Sequence, residues 1–429
     1  MLSYPLPPHP LRHLLTFARN LSFLEHTGCS GLLGALTEMG PFRPSADGKT
    51  ILDNPYAWNQ KVNMVFIEQP CGVGFSYSDG DLDVDYKTDD ATAANDNYAL
   101  IQAFLVRFPQ WAKSKIYLTA ESYGGHYLPT WAKVIVDQNK AGVNPSINFA
   151  GFAVGNPATT SESTTPAMLE TWWGHQLLSK PLWTNYQDKC VKSKKPNLQE
   201  CEYMFLDMYE KTSSVNPYAL DFPVCLQDSH PLSKYGRTQR LMLLRNQLQH
   251  LSPKTKLALK LDDVMSDAYE PCLDDWMTTW LNRDDVKASL HVKSDITWSD
   301  CSRSIKYSQT DGAKSMVPYY QYLLENSTID ILVYSGDDDS VCGTVGIQDW
   351  IWSLGYSPRP GSDWSTWSVP KDSSNGPEAG QLGGYLTRFQ DRRLAFATVH
   401  GAGHEVPTYK PAASLELFNK FISGEWTNN

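Results

Sequence analysis

Three apolar runs, each stopped by a loop of small or acidic residues, organise this chain. Ile116-Tyr117-Leu118 leads into Thr119-Ala120-Glu121-Ser122-Tyr123-Gly124-Gly125, Ile329 to Tyr334 breaks at Ser335-Gly336-Asp337-Asp338-Asp339, and Leu394 to Val399 breaks at His400-Gly401-Ala402-Gly403-His404. Short apolar runs between glycine-containing loops predict strands, and Ile147 to Val154 reads as another. Helical patterns cover about Asp89 to Phe108, Tyr127 to Asp137 and Leu415 to Phe421. Strands alternating with helices imply a layered α/β core around a mostly parallel sheet. The stretch from Ser161 to Met316 differs, with five cysteines, several Trp and Pro residues and an amphipathic, basic segment from Lys234 to Lys260. It reads as an insertion capping the site. The expected organisation is an atypical N-terminal segment 1–27, a first core part 28–160, the insertion 161–316 and a second core part 317–429. Before Gly28, Leu14-Leu15-x-Phe17 followed by Arg19-Asn20 does not alternate as a strand should, so this segment is expected to be poorly tied to the sheet.

The run ending at Ser122 has a strand, a tight turn and a helix in sequence, which puts a serine on the sharp corner that an α/β-hydrolase uses for its nucleophile. So tight a turn needs small residues two positions to either side, and Ala120 and Gly124 hold those places. A serine hydroxyl is a weak nucleophile until an imidazole takes its proton and a carboxylate holds that imidazole in one tautomer. An acid from Asp337-Asp338-Asp339 and then His404 follow Ser122, each in a loop after a predicted strand. That is the hydrolase order of serine, acid, histidine. The residues alone leave the choice among the three aspartates open.

Further motifs are Gly28-Cys29-Ser30, Glu38-Met39-Gly40-Pro41-Phe42, Trp58-Asn59, Phe66 through Tyr77, Glu121-Ser122-Tyr123, Gly155-Asn156-Pro157, Tyr334-Ser335-Gly336-Asp337-x-Asp339 and Gly403-His404-x-Val406-Pro407. With them the chain, from about Gly28 onward, resembles the secreted and vacuolar serine carboxypeptidases of fungi and plants. The resemblance implies an α/β-hydrolase fold and selects Asp339 as the acid. It implies release of C-terminal amino acids from peptides and proteins through an acyl-enzyme, at acidic pH. Glu38 and Glu121 would bind the substrate carboxylate, since a carboxyl pair sharing one proton can donate to it. Cys342 and Glu405 fall in the substrate pocket, and the N–H groups of Tyr123 and His26 form the oxyanion hole. Disulfides Cys29–Cys301, Cys190–Cys201 and Cys225–Cys272 are implied, leaving Cys71 and Cys342 free. The chain departs from the family at Ser22 to Thr27, where a Trp-x-Asn-Gly-Gly-Pro run is usual: Ser22 and Leu24 replace the tryptophan and asparagine, and His26 the oxyanion glycine. That departure keeps two alternatives open, a catalytically impaired member acting by binding and an acyltransferase relative.

Composition narrows the partners. A net charge of −10 without a Lys/Arg block argues against nucleic acid and anionic membranes. No apolar segment reaches membrane-spanning length. Gly72-x-Gly74 lacks the third glycine of a dinucleotide loop and no phosphate-cradling loop occurs, so no cofactor is expected. His400 and His404 have the spacing of a zinc pair, but Gly401 and Gly403 disfavour a helix there, and no metal is expected. Eight cysteines with no Cys-x-x-Cys pair point to an oxidising compartment, hence the secretory pathway. Prolines 5, 7, 8 and 10 and Arg12, His13 and Arg19 interrupt any signal-like apolar region near Met1. Glycosylation triplets stand at Asn20 and Asn326. The oligomeric state is left open.

Overall fold

The structure, a computed structural model, describes residues 20–25, 29–225, 270–308 and 310–427. Eight strands form one sheet: β1 (Asn20–Glu25), β2 (Asn63–Ile67), β3 (Lys115–Glu121), β4 (Phe149–Gly155), β5 (Asp330–Gly336), β6 (Ser365–Ser368), β7 (Leu382–Arg388) and β8 (Leu394–Val399). Their order is β6-β7-β8-β5-β4-β3-β1-β2. From β8 to β2 every neighbouring pair is parallel, while β6–β7 and β7–β8 are antiparallel. The eight longer helices relevant here are α1 (Asp90–Arg107), α2 (Gly124–Ala141), α3 (Ser161–Gly174), α4 (Leu198–Thr212), α5 (Leu273–Leu281), α6 (Val317–Asn326), α7 (Thr344–Ser353) and α8 (Pro411–Ile422).

The apolar runs became central strands because both faces of this sheet are covered. β5 and β8 are buried at every position. The period-two geometry of a strand then splits their side chains between two cores. Ile116, Leu118, Ile331 and Phe396 pack with α1, α2, α6 and α7 through Ile101, Trp131, Tyr320 and Trp350. Tyr117, Leu332 and Ala397 face the opposite layer, where α8 supplies Leu417 and Phe418. The predicted helix over Asp89 to Phe108 is α1, capped by Asp89, whose carboxylate accepts the Thr92 N–H at 2.7 Å.

One expectation is corrected. The backbone of Asn20–Glu25 is a sheet strand, paired in parallel with β3 on one side and β2 on the other. The pattern judged, Leu14 to Asn20, stops where this strand begins, and within the strand Leu21 and Phe23 do alternate with Asn20 and Ser22. Residues 14–19 and 26–28 lie outside the described residues.

Residues of the insertion carry α3, α4 and α5. Met168, Leu169, Trp172, Phe205, Met208 and Leu220 form a separate core that also takes in Val341 and Cys342. Disulfides join Cys29 to Cys301, Cys190 to Cys201 and Cys225 to Cys272, while Cys71 and Cys342 are free, as the resemblance implied. The basic segment Lys234 to Lys260 lies outside the described residues. Among the described residues no helix is long and apolar enough to cross a membrane.

Candidate active site

The strand ends set the site. Register places Glu121 level with Gly155, Gly155 with Tyr334, and Val399 with Gly336, so the loops after β3, β5 and β8 leave the sheet at one edge. Ser122 stands at φ 59°, a left-handed conformation rare for a side chain other than glycine. Its N–H donates to the Gly155 carbonyl at 3.0 Å, and its own carbonyl accepts from the Ala158 N–H at 2.8 Å. The need for small neighbours is visible: a Cβ on Gly124 would lie 2.5 Å from that of Ala120. Ala120 has used the room that Gly124 must leave. Tyr123, the N-cap of α2, has its N–H outside the intrahelical ladder, where an oxyanion donor must be.

Tyr123 is held from behind. Its ring stacks on His126 with centroids 4.4 Å apart, and its hydroxyl donates to Asp90 at 3.1 Å. Asp90 also bonds His126 at 3.0 Å and accepts from the Tyr307 hydroxyl at 2.7 Å. Burial alone would push the Asp90 carboxyl up, but these bonds outweigh it and keep it below the usual carboxylate range.

The three consecutive aspartates face three different partners. Asp337 lies 2.8 Å from Nδ1 of the exposed His400 and accepts the Gly401 N–H at 2.6 Å. Asp338 turns towards His175 and Asp221. Asp339, fully buried, bonds Nδ1 of His404 at 2.6 Å. It also accepts from the N–H groups of Val341 (2.7 Å) and Cys342 (3.1 Å) and from the Asn156 amide (2.9 Å). His404 Nε2 is buried without a hydrogen-bond partner, leaving that nitrogen for a substrate-side proton. Burial pushes His404 down, but Asp339, then Glu405 and Glu38, outweigh it and raise its pKa overall. Asp338 is pushed up to about 7, first by burial and then by Asp221, Asp337 and Asp339.

Glu38 and Glu121 are buried, 1% and 4% exposed. Burial first, and then the charges of Glu121 and Glu38, raise the pKa of the fully enclosed Tyr334. Cys342 is buried beside Asp339 and His404, its thiol pushed up by burial and then by Asp339 and Glu121. Glu405, next to His404, accepts the Tyr409 hydroxyl at 3.1 Å.

Two contributors were missed in the sequence. Asn156 appeared only within a motif. It bridges β4 to the acid loop, donating to Asp339 and to the Gly336 carbonyl (3.2 Å) and accepting the Gly336 N–H (2.9 Å). The insertion segment Asn216 to Asp221 docks directly on the acid and histidine loops. The Tyr218 carbonyl accepts the His404 N–H at 2.7 Å, and that of Pro217 accepts the Ser340 N–H at 3.1 Å. Asp221 donates its N–H to Asp338 at 3.0 Å. No short-range signal announces such contacts. His26 lies outside the described residues; Glu25, the last residue of β1, pairs with Ala120.

A positive-φ serine at a strand-to-helix corner, with an acid and a histidine later in the chain at the same edge of a mostly parallel sheet, defines an α/β-hydrolase. The family described as serine carboxypeptidase matches residues 27–424. Serine carboxypeptidase-like 33 of Arabidopsis thaliana is 33% identical over 402 residues, covering 93% of this chain and 79% of that protein. Serine carboxypeptidase-like 25 of the same plant is 32% identical, with 93% and 80% covered. The crystal structure of a prohormone-processing carboxypeptidase from Saccharomyces cerevisiae superposes with a TM-score of 0.68 at 24% identity, covering 94% of this chain and 83% of that one. The chain belongs to the serine carboxypeptidase family.

Proposed function

We propose that this protein is a serine-type carboxypeptidase that releases C-terminal amino acids from peptides and proteins. Ser122 attacks the last peptide carbonyl, His404 takes its proton at Nε2 and passes it to the leaving amine, and Asp339 stabilises the imidazolium. Water then hydrolyses the acyl-enzyme by the reverse proton path. The N–H groups of Tyr123 and His26 hold the oxyanion. Glu38 and Glu121 receive the substrate carboxylate, with Cys342 and Glu405 in the pocket around it. The observation that carries this reading is the buried Asp339–His404 pair with two buried carboxyls whose charges reach it, Glu38 at His404 and Glu121 at the adjoining Cys342 thiol. Two buried carboxylates would repel a third, so a proton among them must accompany substrate binding.

Two pH limbs follow. Losing that proton weakens peptide hydrolysis as pH rises, chiefly through KM. His404 must be neutral to act as base, and its raised pKa moves the rising limb upwards. An N-blocked dipeptide and its C-terminal amide separate the limbs. The dipeptide should lose kcat/KM towards neutral pH while the amide keeps rising, and identical profiles would remove the glutamates from this role. No release of amino acid from the dipeptide would favour the impaired or acyltransferase alternatives, which rest on Ser22 to Thr27. Three disulfides support an oxidising compartment, hence secretion or the vacuole. Of the two glycosylation triplets, Asn326 is exposed at the end of α6, whereas Asn20 starts a strand inside the sheet.

A further inference from the structure

Among the described residues, three groups of His, Cys, Asp and Glu side chains bring ligand atoms within 4.8 Å of one another. One is Asp339, Cys342 and His404, already assigned to hydrolysis. In the second, Cys225 and Cys272 are joined as a disulfide and offer no thiolate. The third is His175, Asp221 and Asp338, none of which the proposed reaction uses.

His175 Nδ1 lies 3.6 Å from Asp338 Oδ1 and 3.8 Å from Asp221 Oδ1. These separations are too long for hydrogen bonds. They approach the edge of about 3.4 Å that four ligands at roughly 2.0–2.1 Å make around a tetrahedral ion. Asp338 is 2% exposed, and its Oδ1 has no hydrogen-bond partner, although its Oδ2 accepts the Asp221 N–H. Buried carboxylate oxygens are ordinarily satisfied, and an orphan one is costly. The charges acting on Asp338 are those of Asp221, Asp337 and Asp339, all carboxylates. His175 is the C-cap of α3, where the last helix carbonyls add partial negative charge. Geometry, an unpartnered oxygen and the local field thus all favour a cation at one point.

We propose that His175, Asp221 and Asp338 bind one divalent cation of the zinc class, with solvent completing the coordination. An imidazole among the ligands favours such an ion over calcium or magnesium, which prefer oxygen-only sites. The partial exposure of His175 and the open side chain of Asp221 leave the fourth position to water. The ion would join α3 and the Asn216 to Asp221 segment to the loop that carries Asp339. It is a structural clamp on the acid side of the site, distinct from the proton path through His404.

The full chain, stripped with a chelator and then dialysed, should be titrated with zinc chloride against a chromophoric zinc indicator in wild type, His175→Ala and Asp221→Asn. Wild type should bind one equivalent that survives millimolar magnesium. His175→Ala should lose that equivalent, and Asp221→Asn should bind it at least about tenfold more weakly. Zinc should raise the Tm of wild type and leave that of His175→Ala unchanged. His175 is partly exposed, so its variant is expected to fold, as circular dichroism would verify. Absence of the bound equivalent in wild type, or equal affinity in wild type and His175→Ala, would overturn the site.

Discussion

The two sides of the site are built differently. The nucleophile side is made by the sheet itself: the Ser122 backbone is bonded to Gly155 and Ala158, and its corner is permitted by Ala120 and Gly124. The acid–base side is assembled from afar, with Asp339 held by Asn156 and its own loop, and the His404 and Ser340 backbones held by Tyr218 and Pro217 of the insertion. One side rests on the neighbouring strand β4 and the loop that follows it. The other depends on a segment more than a hundred residues away in sequence, so the insertion helps to position the loops that carry Asp339 and His404.

The largest expected effect removes the distinction, because in the proposed mechanism the two sides act on one proton. Ser122→Ala and His404→Ala should each lower kcat by roughly 10⁴–10⁶-fold, and the double variant should be no worse. Additive losses would mean that the two residues do not act together. A smaller change isolates the nucleophile side. Gly124→Ala puts a Cβ 2.5 Å from that of Ala120 and should cost about 1–3 kcal/mol of stability together with turnover. Adding Ala120→Gly should restore both, and failure of this rescue would show that the corner is not limited by that contact.

The smallest effect sharpens the acid side. Folded Asp338 keeps its proton up to about 7, against a reference value of 3.8. Between those pH values the folded state binds more protons, so this group's contribution to stability falls as pH rises. In zinc-free protein the loss should be on the order of 3 kcal/mol, and Asp338→Asn should flatten it. An unchanged slope in that variant, followed by Tm across pH 4 to 7, would remove the buried carboxyl as its source.

The same contrast explains what the sequence disclosed. The elbow, α1 and β8 were legible because short-range residues decide them: Asp89 caps α1, and the six residues Leu394 to Val399 are buried throughout. β7 was not legible, since Gly383-Gly384 reads as a turn. A Cβ on Gly383 would strike the Trp367 ring at 2.2 Å and one on Gly384 the Thr398 carbonyl at 2.0 Å, so these glycines serve packing inside the sheet. β1 was misread because the pattern weighed was that of Leu14 to Asn20, which ends where the paired strand Asn20–Glu25 begins. The choice among Asp337, Asp338 and Asp339 came from family resemblance. Their separate partners depend on contacts with His400, His175 and His404 that no local pattern encodes.

In the proposed mechanism Ser122 is activated by His404 held on Asp339. Its most direct test is the rate of covalent fluorophosphonate labelling, mapped to the modified peptide, in wild type and in the Asp337→Asn, Asp338→Asn and Asp339→Asn variants. Labelling is expected at Ser122, lowered by about 10⁴-fold in Asp339→Asn because the imidazole is left in the wrong tautomer. Asp337→Asn should stay within about twofold of wild type, as a change at an exposed pair should. Labelling of a different serine, or a loss in Asp337→Asn that Asp339→Asn does not share, would contradict it.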